Sequence, residues 1–560
     1  MKIFKKILLF LAIVSIPSCN FLDFDETDSI YDHDFMYKYF NKTSQMLVNV
    51  YSYMPYDLGT VGGFMRDSGC DDAECADPSA SVQRFNNGTW SALATVDTQW
   101  NLYRGIRAAN EFLESIKTVD FSMYENDPRY DNWMDQLQYF EYEARLLRAH
   151  YFFELAKRYG DIAIPLKKLT VQEANSIAKT PFADVISFIV SECDACAKKL
   201  PVDYTTQVAG AEYGRVTRGF AMAVKSKALL YRASKLHNPT MDKTLWKSAA
   251  EAARAIIDSS FYALDPGPKV NSTESKEIVL TKMNNFNWNF EKNNFPYRFT
   301  EGKKSGLSGV YPTQELVDAF QTIDGFDVIL ENDAWVSDDP NFNPAKPYER
   351  RDPRFAATVL ADGMRFKDTT IETFVGGQDY SDVIEKGTPT GYYLRKYIEE
   401  STCFTPEAEV ENKHHWVIYR YAETLLTYAE AMVEAFDNPD YTDGDFILSA
   451  REAVNMVRQN AGMPNVTASG KDDFIEALRR EWRVEFAFED HRFWDVRRWC
   501  IGGDTQTKVS GVKIEKADIG KIYTRTVVAS RKWNDRMNLF PIPQNELFNN
   551  PSLNPQNKGW

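Results

Sequence analysis

Apolar residues recur at helical spacing over most of the chain, and the places where that spacing fails are as informative as the places where it holds. Phe35 to Tyr53, with Tyr39, Met46, Leu47, Val50 and Tyr53 on one face, predicts a first helix. Residues 57–98 have no sustained period and are rich in Gly, Asp, Asn and Ser, which predicts a long, exposed, irregular segment. An amphipathic helix follows over Trp100 to Leu113, and another over Glu143 to Arg158, stopped by Gly160 and Pro165. Residues 181–200, 216–235 and 246–257 continue the series. Between Leu264 and His414 the period mostly fails, and Gly, Pro, Asn, Asp and aromatics take over. It returns after His414-His415, read as opening a helix, over residues 419–434, 448–462 and 478–499. The pattern predicts a mainly α chain in which helix pairs surround a loop-rich body.

Residues 479–499, RREWRVEFAFEDHRFWDVRRW, are the densest segment. Taken as one helix, Leu478, Trp482, Glu485, Phe486, Glu489, Phe493, Val496 and Trp499 form a stripe that must be buried. Arg479, Arg480, Arg483, Arg492, Arg497 and Arg498 stand among Glu481, Glu485, Glu489, Asp490 and Asp495. Guanidinium forks bind carboxylates at two points, so the segment reads as a packing network. Glu489, Asp490, His491 and Asp495 also fit general acid–base chemistry, but every acid there has an arginine to neutralise it. The chain lacks H-E-x-x-H, a phosphate-binding G-x-x-x-x-G-K-[ST], G-x-S-x-G and a dinucleotide fingerprint. A glycosidase needs only two carboxylates at a set spatial separation, so an envelope glycoside hydrolase using Glu489 or Asp495 stands as a rival from another class. The reading as a binding protein and not an enzyme rests on the resemblance that this segment and others carry.

E-x-R-V-E-F-A-F-E-x-H-R-F-W-D-V-R-R-W resembles the signature near the C-terminus of the SusD/RagB family. Further matches are W-N-x-Y-x-x-I-x-x-A-N at Trp100–Asn110, the run Glu143–Leu155 with Arg158-Tyr159-Gly160-Asp161, and Tyr311–Phe320, a helix opened by Thr313. The turn Arg351-Asp352-Pro353-Arg354-Phe355, N-x-x-R-x-x-A-G at Asn455–Gly462, and Phe540-Pro541-Ile542-Pro543 with the closing Asn-Pro steps complete the set. The resemblance implies a SusD-like fold with about four tetratricopeptide-like helix pairs and an irregular body. It also implies a surface lipoprotein that captures a nutrient and passes it to a SusC-like TonB-dependent outer-membrane transporter. The expected division is a leader at 1–18, a lipidated tether at 19–34, a helical region at 35–263, a variable body at 264–413 and a C-terminal region at 414–560, with 19–560 forming one domain.

The leader reads MKIFKKILLFLAIVSIPSC, with Lys2, Lys5 and Lys6 before an apolar run too short to span a membrane. A small residue, Ser18, precedes Cys19 as in a bacterial lipobox, although Pro17 departs from the usual box. Lipid on Cys19 would tether the protein to the outer membrane, and the acidic stretch Asp23, Asp25, Glu26 and Asp28 resembles the tether of surface-exported lipoproteins. A net charge of −15 argues against nucleic acid or an anionic membrane surface as ligand and favours an uncharged or cationic cargo. Six cysteines follow Cys19. Cys70 and Cys75 could close a small disulfide, whereas Cys193 and Cys196 lack further soft ligands for zinc.

Sugars present apolar faces rimmed by hydroxyls, so a site for them needs exposed aromatics beside Asn, Asp, Gln or Arg. Two stretches qualify. One runs from Asp71-Asp72 through Arg84 and Asn87 to Trp90; the other is Asn284-Asn285-Phe286-Asn287-Trp288-Asn289-Phe290 with Phe295-Pro296-Tyr297-Arg298. In the resembled family, glycan sites are built from loops at these two places. Trp288 is the expected stacking platform and Trp90 a second, while Trp100 and Tyr103 are assigned to packing. Asp71, Asp72, Glu74 and Asp77 lack an ordered calcium loop and are read as solvated acids, so no cofactor is predicted and calcium is left open. A peptide-capturing member of the same family is the nearest alternative.

Overall fold

Where the helical period is strong the chain forms helices, and their ends fall on residues that cap or cannot continue them. The computed structural model describes residues 33–267, 270–273, 275–304, 306–331 and 333–560. The leader, Cys19 and most of the acidic tether lie outside the described residues. The long helices are α1 Phe40–Ser52, α2 Leu102–Ser115, α3 Tyr130–Tyr159, α4 Phe182–Ala197, α5 Arg218–Ala233 and α6 Lys243–Ser259. Thr217 and Asp242 cap α5 and α6 by accepting from Phe220 and Thr244 N–H groups. Helix α3 begins well before Glu143 and stops at Gly160, whose φ of 70° is a backbone that glycine adopts without strain.

Short helices α7 Asn289–Asn294, α8 Gln314–Ala319 and α9 Pro353–Thr358 punctuate the body. Thr313 caps α8 as expected, accepting from Leu316 N–H. The Asp352-Pro353 step opens a helix where a turn was expected, because Pro at the first helical position needs no N–H partner and Asp352 caps it. The C-terminal helices are α10 Tyr421–Phe436, α11 Ala450–Asn460, α12 Lys471–Glu485 and α13 Arg492–Arg498. They pack in series: α2 on α3, α3 on α4, α4 on α5, α5 on α6, then α6 on α10 and α10 on α11. The α6–α10 contact joins helices on either side of the loop-rich body.

Antiparallel pairs tie the body to this array. Strand β1 Ala73–Cys75 pairs with β4 Val310–Pro312, β2 Ile278–Lys282 with β6 Trp416–Arg420, and β3 Phe286–Asn287 with β5 Asn412–Lys413. A hairpin, β7 Lys508–Lys516 with β8 Lys521–Ser530, follows the signature. His414 and His415 sit between β5 and β6, both buried, and do not open a helix; the strands on either side, paired with residues 278–287, hold them out of any helix. One apolar cluster runs from Tyr37 to Leu553. A smaller one gathers Phe295, Tyr311, Phe366, Tyr393 and Phe404.

Three expectations fail for identifiable reasons. Residues 65–76 are all buried, although the segment reads as an exposed loop; arginines from the C-terminal third neutralise several of its acids. Arg492 grips Asp71 at 2.9 and 2.8 Å, Arg483 reaches Asp72 at 2.6 Å and Arg531 reaches Glu74 at 3.0 Å. Secondly, the signature is two helices, since Phe488 (φ 60°) and Asp490 (φ 62°) take left-handed backbone between α12 and α13. Its acids draw many partners from outside: Arg354 and Arg420 hold Glu485, Arg420 and Lys396 hold Glu489, and Arg458 reaches Glu481 at 3.0 Å. Thirdly, Cys70 and Cys75 are free thiols, each buried and donating to a carbonyl, of Asp67 and Asp77 respectively.

Candidate functional site

Asn284 leaves β2 with its side chain donating to His414 O at 2.6 Å, which fixes the start of the asparagine-rich stretch against the strand pair. Asn287 then accepts from Asn289 N–H at 2.9 Å, a local turn that takes the chain out of β3 and into α7. Asn294, at the other end of α7, accepts from Val310 N–H and so fastens the helix to β4. His414 bonds Glu291 at 2.7 Å from beneath. These contacts spend the amides of Asn284, Asn287 and Asn294 on structure. Those of Asn285, Asn289 and Asn293 make no hydrogen bond within the described chain.

Between this stretch and the glycine-bearing loop after α1 lies a cavity of about 430 Å³. Tyr56, Leu58, Gly59, Gly63 and Met65 form one wall, and Asn284–Asn287, Asn289, Phe290, Asn293 and Asn294 the other, with Val310 and His414 completing it. A Cβ on Gly63 would meet nothing within 4 Å, and its φ of 95° requires glycine, so the loop turns while leaving the cavity wide. Phe286 is 59% exposed at this cavity, with Lys413 Nζ 4.7 Å from its ring centre. The His414 imidazole in its wall is engaged with Glu291, and Lys282 Nζ stands 4.4 Å from the ring centre of Tyr56. An apolar ring beside unspent amides suits a ligand with apolar faces and many hydroxyls.

The anticipated residues divide sharply. Asn287 and Phe290 line the cavity, although Phe290 is buried against Tyr397 and His414. Trp288 does not line it. Its half-buried ring leans edge-on against Phe404 at 5.9 Å, and Lys303 Nζ stands 4.5 Å from its centre. Tyr297 is half-buried, beneath Lys386 at 5.7 Å. The first stretch contributes no wall to this cavity. Trp90 is 1% exposed, packed against Phe85, Phe540 and Trp560, and offers no face to a ligand. Asp71 and Asp72 are buried in arginine pairs and are not solvated acids. Arg84 donates to Thr95 O and Asn87 accepts from Thr89, so both serve local turns. Tyr56 is the ring that reading the chain missed, and Phe286, although inside the second stretch, was passed over for Trp288. The signal for Phe286 was its place in an N-x-F-N run whose next step, Asn287 to Asn289, turns the following tryptophan away.

Glu489 and Asp495, the residues of the hydrolase alternative, are buried and engaged. Burial pushes the Glu489 carboxyl up, but Arg420 and Lys396 more than offset it and hold it below the usual range. Asp495 accepts from Arg498 at 2.7 Å. The space beside Glu489 is only about 50 Å³, too small for a sugar ring. A separate cavity of about 250 Å³ lies by Trp100 and Tyr103. Its Asn110 and Asn550 are spent on backbone carbonyls of residues 165–177, and Tyr103 O–H donates to Ala163 O at 3.1 Å.

Comparison with known proteins places this geometry in a wider setting. Residues 276–560 match the model of the SusD family, and residues 20–233 match a family described as starch-binding and associating with the outer membrane. SusD-like protein P2 of Formosa agariphila is 22% identical over 434 residues, covering 75% of this chain and 73% of its own length. SusD-like protein P38 of the same organism is 21% identical, with 76% and 77% covered. Among solved structures, a SusD-like protein of Bacteroides fragilis is 27% identical with a TM-score of 0.74, covering 95% of this chain and 99% of its own. A SusD-like carbohydrate-binding protein of B. fragilis shares the fold at 24% identity and a TM-score of 0.73, over 93% and 100% of the two chains. A laminarin-binding SusD-like protein does so at 20% and 0.58, over 93% and 100%.

Proposed function

The chain belongs to the SusD family, a family of carbohydrate-binding proteins, and from that premise we propose that it captures a neutral oligosaccharide in the asparagine-lined cavity and hands it to a TonB-dependent transporter. The observation that carries the reading is the pairing of an exposed Phe286 with three unspent asparagine amides in a cavity of about 430 Å³. Phe286 stacks on the apolar face of a sugar ring while Asn285, Asn289 and Asn293 meet its hydroxyls. The lysines at the cavity's edge, Lys413 over Phe286 and Lys282 over Tyr56, are engaged with those rings, and the net charge of −15 repels a polyanion at range. The fold likeness to a laminarin-binding protein makes a neutral β-glucan a first ligand to try.

Binding is the whole activity in this reading, because the signature carboxylates are buried in arginine pairs. The protein is held at the outer-membrane surface by lipid on Cys19. No described helix is long and apolar enough to cross a membrane. Affinity stays modest, so that cargo can leave for the transporter. A binding panel of laminarin, starch, a polyuronate and mixed peptides tests the proposal. Retention of a neutral polysaccharide and not the polyuronate supports it. A peptide as the sole ligand would replace sugar capture with peptide capture, and preference for the polyuronate would contradict the neutral cargo.

A further inference from the structure

The loop between α1 and β1 holds a second chemistry, independent of the glycan cavity. Arg66–Gly69 forms a single tight 3-10 turn, closed by Cys70 N–H donating to Asp67 O at 3.1 Å. That turn folds residue 67 back toward residues 70 and 72. One oxygen each of Asp67 and Asp72 and the sulfur of Cys70 lie within 4.8 Å of one another, and all three residues are buried.

What sets this cluster apart is the state of its donors and acceptors. Asp71, the neighbour in sequence, is fully served by Arg492 at 2.9 and 2.8 Å and by Gln506 at 2.8 Å. Asp67 is 1% exposed, and neither of its carboxylate oxygens has a hydrogen-bond partner. Asp72 gives one oxygen to Arg483, and its other oxygen, also buried, has none. Buried polar groups in folded proteins are nearly always paired, so these three orphaned oxygens, on two residues that each bring one carboxylate oxygen within 4.8 Å of the thiol sulfur, call for a positive partner.

We infer that Asp67, Cys70 and Asp72 bind a divalent cation of the zinc class. A thiolate with two carboxylates suits a borderline-soft ion, whereas calcium and magnesium take all-oxygen sets. Zinc holds sulfur at about 2.3 Å and carboxylate oxygen at about 2.0–2.2 Å, so its tetrahedral ligand atoms stand roughly 3.4–3.6 Å apart. A small inward rotation of these side chains meets that spacing. The second Asp67 oxygen or a water completes the shell. On binding, the Cys70 thiol, which donates to Asp67 O at 3.3 Å, loses its proton to solvent. Three anionic ligands are then balanced by the dication and the guanidinium of Arg483. The ion pins the turn that follows Met65, a wall residue of the cavity.

The test loads the purified whole chain with Zn2+ or Co2+, dialyses it and measures metal content, the thiolate-to-cobalt absorption band and the melting temperature. The expected result is one metal per chain, a thiolate band lost in Cys70→Ser, at least tenfold weaker binding in Asp67→Asn, and a lower melting temperature on chelation. Asp67→Asn is nearly isosteric and keeps the test decisive if Cys70→Ser does not fold. No thiolate band in the wild-type chain would overturn the inference, as would a band that survives Cys70→Ser because it arises at Cys193 and Cys196. A chain indifferent to chelator, with Asp67→Asn more stable than wild type, would also overturn it, since a proton would then hold the orphaned carboxylate.

Discussion

Phe286, Trp288 and Trp90 show how much the direction of one ring decides. All three stand in polar, irregular stretches, yet Phe286 is 59% exposed at the cavity and Trp90 is 1% exposed in the core. The composition of residues 284–290 already pointed to the stretch that lines the cavity, but the segment lacks the period that would say which ring faces out. Two residues of strand followed by an asparagine turn make that choice, and such a turn depends on strand pairing with Asn412 and Lys413. Trp90→Ala is therefore expected to cost about 3–5 kcal/mol of folding stability in a denaturant melt while leaving glycan affinity per folded molecule unchanged. His150 supplies a pH test at the same scale. Burial lowers its pKa to about 4, Glu154 only partly offsets that, and neither ring nitrogen has a partner. The unfolded chain takes up this proton below about pH 6.5 and the native chain does not. Stability is thus expected to be unaffected above that pH and to fall between pH 6.5 and 4, by up to about 3 kcal/mol from this group. His150→Leu should flatten that part of a melting-temperature profile; an unchanged slope would remove His150 as a cause.

Among the elements, the broken signature explains why so many charges can be buried. Arg420, at the end of β6, donates to Glu277 at 2.7 Å, Glu485 at 2.6 Å and Glu489 at 2.8 Å, and so ties α12 and the following turn to the strand pair β2–β6. The density of charge and aromatics announced packing, but the break at Phe488 and Asp490 was not legible, because neither is the glycine that usually marks left-handed backbone. Nor were the partners legible, since Glu277, Arg354, Lys396 and Arg420 are distant in sequence. Glu489→Gln is expected to destabilise the fold by about 3–5 kcal/mol, the scale of breaking a buried pair, measured by chemical denaturation. Neither the variant nor the wild type should release reducing ends from any glycan it binds. Turnover by the wild type that vanishes in Glu489→Gln would instead make the segment catalytic.

Across the whole molecule, helical period and family motifs made the helix array legible, because local spacing determines a helix face. The cavity was only half legible: its walls come from residues 56–65, 284–294, 310 and 414, and nothing local to Tyr56 or Gly63 announces that they meet the asparagine stretch. The anchor belongs to this scale too. Replacing Cys19 with Ala is expected to shift the protein from the membrane fraction to the soluble fraction of a cell lysate, and persistence with the membrane would contradict the lipid tether. The central claim, that a neutral glycan lies on Phe286 among the asparagines, is tested most directly by titrating the best neutral ligand into the wild-type chain and Phe286→Ala. The account predicts affinity at least tenfold weaker in the variant, about 1.4 kcal/mol, with the melting temperature unchanged. Equal affinity in the two proteins would place the ligand elsewhere and contradict it.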